Sequence, residues 1–168
     1  MPSIVTHPAV ALLRTWFPRV SSRAAVAGAI ATILPDGDVL AFALDIPYED
    51  MLGHRGLTHS IAFAFVTALL FTLLIERRPA TFTFLFLCAR SHPVLDALTN
   101  GGLGVAFFAP FSNERYFFPW TPIRVSPIGA RFFSARGLAT LTSEVVWVWF
   151  PVGALALLGK YVRRNGNM

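Results

Sequence analysis

The chain has 168 residues, 55% of them hydrophobic and only 14% charged, with a formal net charge of +5 and a single cysteine. Its length allows one domain or one membrane bundle, read here as a single domain over residues 1–168. Soluble domains average roughly 25% charged residues, so the bilayer suits this chain better than water and disorder is excluded, and the lone Cys88 excludes an intrachain disulfide framework and a Cys-based metal site.

The first 23 residues carry Arg14, Arg19 and Arg23 and lack a compact apolar core, so no cleavable signal is read there. The first apolar run, residues 24–34, continues past Asp36-Gly37-Asp38 into residues 39–44. Neither half alone reaches the roughly 20 residues of a span. The run is expected to be a short or broken span, or a re-entrant pair with the acids at its bend. A second segment, residues 60–75, is uncharged and stops at Glu76-Arg77-Arg78-Pro79. The third, residues 80–99, is long enough to span but holds Arg90, His92 and Asp96 in its last half, and Cys88 reads as a small buried hydrophobe. Residues 100–136 are rich in Gly, Pro and aromatics without helical period, which predicts an ordered interfacial loop. The fourth, residues 138–159, has Glu144 in its first third and ends at Lys160, Arg163 and Arg164. The expected fold class is all-α: an integral membrane helical bundle of about four segments.

Alternating spans put Arg14, Arg19 and Arg23, the Arg77-Arg78 hairpin and Arg163-Arg164 on one side, which the positive-inside rule makes cytoplasmic. Arg115, Arg124, Arg131 and Arg136 are a counter-signal on the other side. The basic residues are dispersed or flank apolar runs, so a bilayer is the expected partner and nucleic acid is not. This topology places Asp36, Asp38, His54, His59, His92, Asp96 and Glu144 at the opposite face. His7 joins them only if the N-terminal segment folds back.

Those residues carry the chemistry. His92-x-x-x-Asp96 has the spacing that puts two side chains on one helix face. In Asp36-Gly37-Asp38 the glycine lets two carboxylates point at one place, where they repel unless a cation or proton lies between them. His54-Arg55-Gly56-Leu57-Thr58-His59-Ser60 is the densest polar cluster. Thr58 and Ser60 are suited to cap a helix or fix an imidazole tautomer, and Arg55 to pair with a carboxylate or a phosphate. Thr6-His7-Pro8 and Ser91-His92-Pro93 share a hydroxyl-His-Pro pattern that places both histidines at helix starts. Glu144 has three readings: ligand, base, or counter-ion of Arg90. The plain alternatives are capping residues, solvated turns and a snorkelling arginine. Asp45, Glu49 and Asp50 read as a solvated acidic loop. Imidazole plus carboxylate is the donor set of a divalent metal, zinc or manganese.

Taken together these stretches, with Leu34-Pro35-Asp36-Gly37-Asp38 and Arg115-Tyr116-Phe117-Phe118-Pro119, resemble the membrane-bound metal-dependent hydrolases of the YdjM-like inner-membrane family. The resemblance implies a prokaryotic cytoplasmic (inner) membrane protein with a metal-hydrolase site. A more distant similarity is to zinc-dependent phospholipase C and single-strand nucleases. It implies His7, Asp36 or Asp38, His59, His92 and Asp96 as ligands, with Asp96 bridging and His7 on a second metal. The chain departs from that pattern after Asp96, where no histidine follows. A third, His-rich metal site is therefore absent, and Glu144 is its only partial substitute.

The expectation is a membrane-bound hydrolase acting on an ester through a metal-activated water, with a phosphoester or a lipid as substrate. Asp36, Asp38, His59, His92 and Asp96 are the expected ligands, with His7 for a second metal. His54, Arg55 and Glu144 are candidates for proton transfer or anion binding. The rival is an intramembrane metal or proton binding or transport protein without hydrolytic activity, which needs polar residues continuing through the opposite half.

Overall fold

In the computed structural model of the chain, residues 1–127 and 129–166 are described. Helix starts follow hydroxyls and prolines. Ser21 accepts the Ala24 N–H and opens α1, Ser22–Ile33, an alanine-rich helix. A 3-10 turn, Leu34–Val39, leads into the short α2, Leu40–Ala43. Ser60 accepts the Phe63 N–H at the head of α3, Ile61–Ile75. Pro79 stands in the first turn of α4, Pro79–Ala97, where its missing N–H leaves nothing unpaired. Ser134 caps α5, Ala135–Glu144, which passes through a π-helical turn, Val145–Trp149, into α6, Phe150–Asn165.

The protein is all-helical, as expected: among the described residues there is no β-strand, and two isolated bridges, Thr99 with Ile123 and Val105 with Tyr116, stitch the loop between α4 and α5. The span count is coarser than expected. Two helical runs, Ser22–Ala43 and Ala135–Asn165, are long and apolar enough to cross a membrane, not four. The 15 residues of α3 rise only about 22 Å, short of a hydrocarbon core of about 30 Å. The first run is helical throughout, with a 3-10 segment between its two α-helical parts. Pro35 sits in the first turn of the 3-10 segment, and the carboxylates of Asp36 and Asp38 are buried, so the acids ride a tightened turn within a continuing helix.

Phe84, Leu85 and Cys88 of α4 pack on Val20, Ala24, Ala27 and Ala68 to form the core at the Arg77-Arg78 end. Gly28 permits this approach, since a Cβ there would lie 2.6 Å from Phe84 Cε1. The N-terminal 3-10 helix, His7–Trp16, lies against both α1 and α6. Trp16 Nε1 donates to the Leu155 carbonyl at 2.9 Å, and Gly159 leaves the room. This is the fold-back His7 required. Outward-facing Leu70, Leu73 and Leu74 of α3 and Leu157 and Phe150 of α6 are exposed, an apolar perimeter suited to lipid.

Glu76 ties the same end together. Its Oε1 accepts from the Ser21 N–H and the Thr81 hydroxyl, each at 3.0 Å. The Ser21 backbone bond, outweighing partial burial, holds its carboxyl below the ordinary glutamate value. A depressed folded-state value stabilises above the unfolded one and is lost as pH falls through the folded one. Glu76→Ala is expected to cost about 1 kcal/mol in thermal unfolding at neutral pH, and less in acid.

Candidate metal centre

All the predicted site residues except Glu144 meet at the end of the bundle away from Arg77 and Arg78. The Leu34–Val39 turn supplies Asp36 and Asp38. A 3-10 turn, Leu57–His59, supplies His59. The last turns of α4 supply His92 and Asp96, and the N-terminal 3-10 helix supplies His7. None of these, nor His54 or Arg55, is more than 8% exposed. His92 does not start a helix as expected: α4 continues through Pro93, which leaves the Ala89 carbonyl without its usual helical donor.

Two imidazoles are aimed at one another. His92 Nδ1 lies 2.6 Å from the Thr32 carbonyl, an acceptor only, so Nδ1 carries the proton and Nε2 the lone pair. His59 Nδ1 faces Asp38 Oδ2 at 3.0 Å, which orients it the same way. The two Nε2 atoms are 3.0 Å apart. Two lone pairs hold that separation only with a proton or a metal between them. Burial lowers the basicity of His59, but the Asp38 and Asp96 carboxylates outweigh it and push the imidazole up to about 9.

Asp38 itself is saturated. It accepts from His54 Nδ1 at 2.6 Å, the Thr58 hydroxyl at 2.6 Å and the Arg55 N–H at 3.0 Å, besides facing His59. It orients imidazoles in the manner of the carboxylate behind a metal-bound histidine. Thr58 acts as its sequence position suggested, also touching His59 Nδ1 at 3.1 Å, while Ser60 caps α3.

The groups left without partners are the informative ones. Both ring nitrogens of His7 and both carboxylate oxygens of Asp36 and of Asp96 are buried with no hydrogen bond, whereas buried polar atoms are ordinarily paired. They converge. His7, Asp36 and His92 bring donor atoms within 4.8 Å of one another, as do His59, His92 and Asp96, and Asp36, His54 and His59. His7 is stacked on His92 with ring centroids 3.8 Å apart. Three carboxylates share the cluster with the Arg55 guanidinium, and two of them, Asp36 and Asp96, lie close to the Met1 amino group. A divalent metal fits this donor set.

Arg55 is the counter-charge inside the cluster. Its Nε lies 2.9 Å from Asp96 Oδ2, Nη1 donates to the Gly101 carbonyl at 2.9 Å, and Nη2 donates to the Thr99 hydroxyl at 3.1 Å. Nη1 and Nη2 are hydrogen-bonded and Nε faces Asp96 as an ion pair, an arrangement suited to positioning that carboxylate. Its backbone has φ of 63°, a left-handed conformation that a non-glycine residue holds only when its surroundings fix it. Gly102 makes room, since a Cβ there would sit 2.8 Å from Nη1. Arg115 secures the neighbouring turn by donating to the carbonyls of His54 and Asp50.

Glu144 lies outside the donor cluster. It accepts from the Ser3 N–H, the Ser3 hydroxyl and, at 2.7 Å, the Thr6 hydroxyl, and so fastens the segment that carries His7. Arg90 is exposed on α4 and is not its counter-ion. Sequence reasoning missed Ser3 and Thr99 because their partners are 141 and 44 residues away. Glu144→Gln is expected to free the N-terminal segment, read as faster proteolysis before Trp16, and to weaken metal binding by about 10–100-fold, as loss of an orienting group does.

An all-helical membrane protein with a buried histidine–aspartate donor cluster at one end is thus defined. The chain belongs to the family of YdjM inner membrane proteins, whose pattern matches residues 3–167. It is also 40% identical, over 161 residues, to the inner membrane protein YbcI of Escherichia coli strain K12, covering 90% of this chain and 92% of that one. No solved structure matches the chain. Family and relative place it in the cytoplasmic (inner) membrane, as the resemblance implied. Neither name specifies an activity, a metal or a substrate.

Proposed function

We propose that this protein is a membrane-embedded, metal-dependent hydrolase of an ester, with a phosphoester or a lipid as substrate. The observation that carries the reading is the convergence of His7 and Asp36 atoms without hydrogen-bond partners, and of the ion-paired Asp96, on the facing Nε2 atoms of His59 and His92. Zinc is the first candidate ion and manganese the second. His92 has only Nε2 to offer and serves one ion. A second ion at His7 would have to share Asp36 or Asp96, as the more distant similarity to zinc phospholipase C sites implies. When bound, the metal supplies a water with a pKa near about 7 and polarises the ester oxygen. The chain supplies the rest: Asp38 and Thr32 fix the imidazoles, Arg55 positions Asp96, and His54, held by Asp38, is placed to move a proton.

A cleft of about 470 Å³ lined by Ile4, Val5, Val39, Phe132 and Phe133 borders Asp36, whose carboxylate oxygens stay buried beneath it. It favours a substrate with an apolar portion. The transport reading requires a polar path onward, but Phe84, Leu85 and Cys88 fill the opposite half of the bundle. In the four-segment arrangement we favour, α3 and α4 form an embedded hairpin between the two long runs. The arginine-rich end is then cytoplasmic; of the four arginines on the other side Arg115 is engaged by backbone carbonyls, while Arg124, Arg131 and Arg136 stay exposed there.

The test is a panel of phosphoesters and phospholipids presented to purified protein after chelation and metal restoration. Turnover that disappears with chelator, returns with zinc or manganese and is absent from His92→Ala is expected. Turnover that survives in His92→Ala would overturn the assignment.

A further inference from the structure

A second groove lies at the opposite end of the molecule. A cavity of about 490 Å³ runs between the N-terminal 3-10 helix and α1, walled by Pro8, Ala11, Leu12, Ala25, Val26 and Ala29. Arg14 and Arg163 stand at its end, and through Thr15 and Arg163 it joins a cavity of about 350 Å³ bordered by Lys160 and Arg164. Four cations therefore gather where the apolar walls stop, and among the described residues no carboxylate lines either cavity. Arg14 is held in place by its Nε donating to the Val20 carbonyl at 3.1 Å. Thr15 Oγ1, which borders both cavities, is buried without a hydrogen-bond partner.

The polarity has an order. Pro8 follows His7 of the metal cluster, and the chain rises toward Arg14 and Thr15 over about 14 Å. The groove thus passes from the apolar interior to a cationic rim at the end where α6 terminates. A soluble anion would need no such apolar wall, and a zwitterionic headgroup would bring its own ammonium against four cations. An anionic headgroup satisfies the rim, and basic pockets between helices at the cytoplasmic face suit such lipids.

We propose that this groove binds an anionic glycerophospholipid of the bilayer. One acyl chain lies along the Pro8–Leu12 and Ala25–Ala29 walls. The phosphate sits among Arg14, Lys160, Arg163 and Arg164. The site is independent of the metal centre and holds the N-terminal 3-10 helix against α1 and α6.

Native mass spectrometry and thermal unfolding of the full chain, supplied with phosphatidylglycerol, phosphatidylcholine or inorganic phosphate, test this. Phosphatidylglycerol is expected to remain bound one per chain and to raise the unfolding temperature, and the other two are not. The double variant Lys160→Ala/Arg163→Ala is expected to lose at least about tenfold in lipid retention, the effect of roughly two lost headgroup contacts. The control Arg19→Ala/Arg77→Ala, with the same charge change outside the groove, is expected to retain it. Ala29→Leu, which fills the apolar wall, should lose retention as well; if that variant does not fold, the two double variants still decide. Equal retention by both double variants would overturn the proposal, as would stabilisation by inorganic phosphate alone.

Discussion

His92→Ala is expected to leave the protein folded but unable to hold stoichiometric metal. His92 offers the one imidazole common to the His7–Asp36 and His59–Asp96 groups, so its removal takes a donor from both at once. Loss of a mere orienting partner weakens metal affinity by about 10–100-fold, and loss of this ligand should exceed that. The packing around it is apolar enough to survive, because Ala89 and Ala97 flank it on the same buried face of α4. The measurement is metal per chain by elemental analysis, with Cys88→Ser as the control, since that thiol is buried in the core away from the cluster. The pH dependence has a definite sign. His59 is raised to about 9, so a metal must displace its proton at any lower pH, and affinity should fall by about tenfold per pH unit below that value. Metal content unchanged by His92→Ala would remove the basis for the shared site.

Arg55→Ala is expected to be the most destabilising single change in the cluster. Arg55 is 1% exposed and neutralises Asp96, which is 0% exposed. Breaking a buried pair by removing one partner costs roughly 3–5 kcal/mol because the other charge is left uncompensated. Thr99 and the Gly101 carbonyl lose their partner as well. The variant should accumulate poorly without metal and be partly rescued by zinc, whose charge replaces the guanidinium beside Asp96. Arg55→Lys should fall between, keeping the charge without the fork that reaches Asp96, Thr99 and Gly101 together. Thermal unfolding of all three proteins, with and without zinc, is the check. An Arg55→Ala protein as stable as the parent would mean that Asp96 is compensated some other way.

Much of this was legible in the sequence because it is local. Ser60, Glu76 and Pro79 mark the ends of α3 and α4, and helical spacing puts His92 and Asp96 on one face. Alternating apolar segments together with the Lys/Arg pattern bring Asp36, Asp38, His59, His92 and Asp96 to one end. What was not legible depends on partners far along the chain. Asp38 reads as a ligand because it sits beside Asp36. Only the fold shows that His54, Arg55, Thr58 and His59 saturate it while Asp36 is left without partners. Glu144 reads as site chemistry because a buried acid in a span is costly, and its donors at Ser3 and Thr6 explain it instead. Pro93 reads as a helix start, yet α4 runs through it, because the buried face that carries Ala89, His92 and Asp96 continues past it.

The central claim is that histidine nitrogens and aspartate oxygens of this cluster hold a divalent cation. X-ray absorption at the metal edge of purified, zinc-loaded protein tests it most directly. The expected result is one or two ions per chain in a shell of nitrogen and oxygen only, at about 2.0–2.2 Å, with the outer scattering of at least two imidazoles, and its loss in His92→Ala. A hydrated ion without imidazole scattering, or a sulfur ligand, would contradict the account.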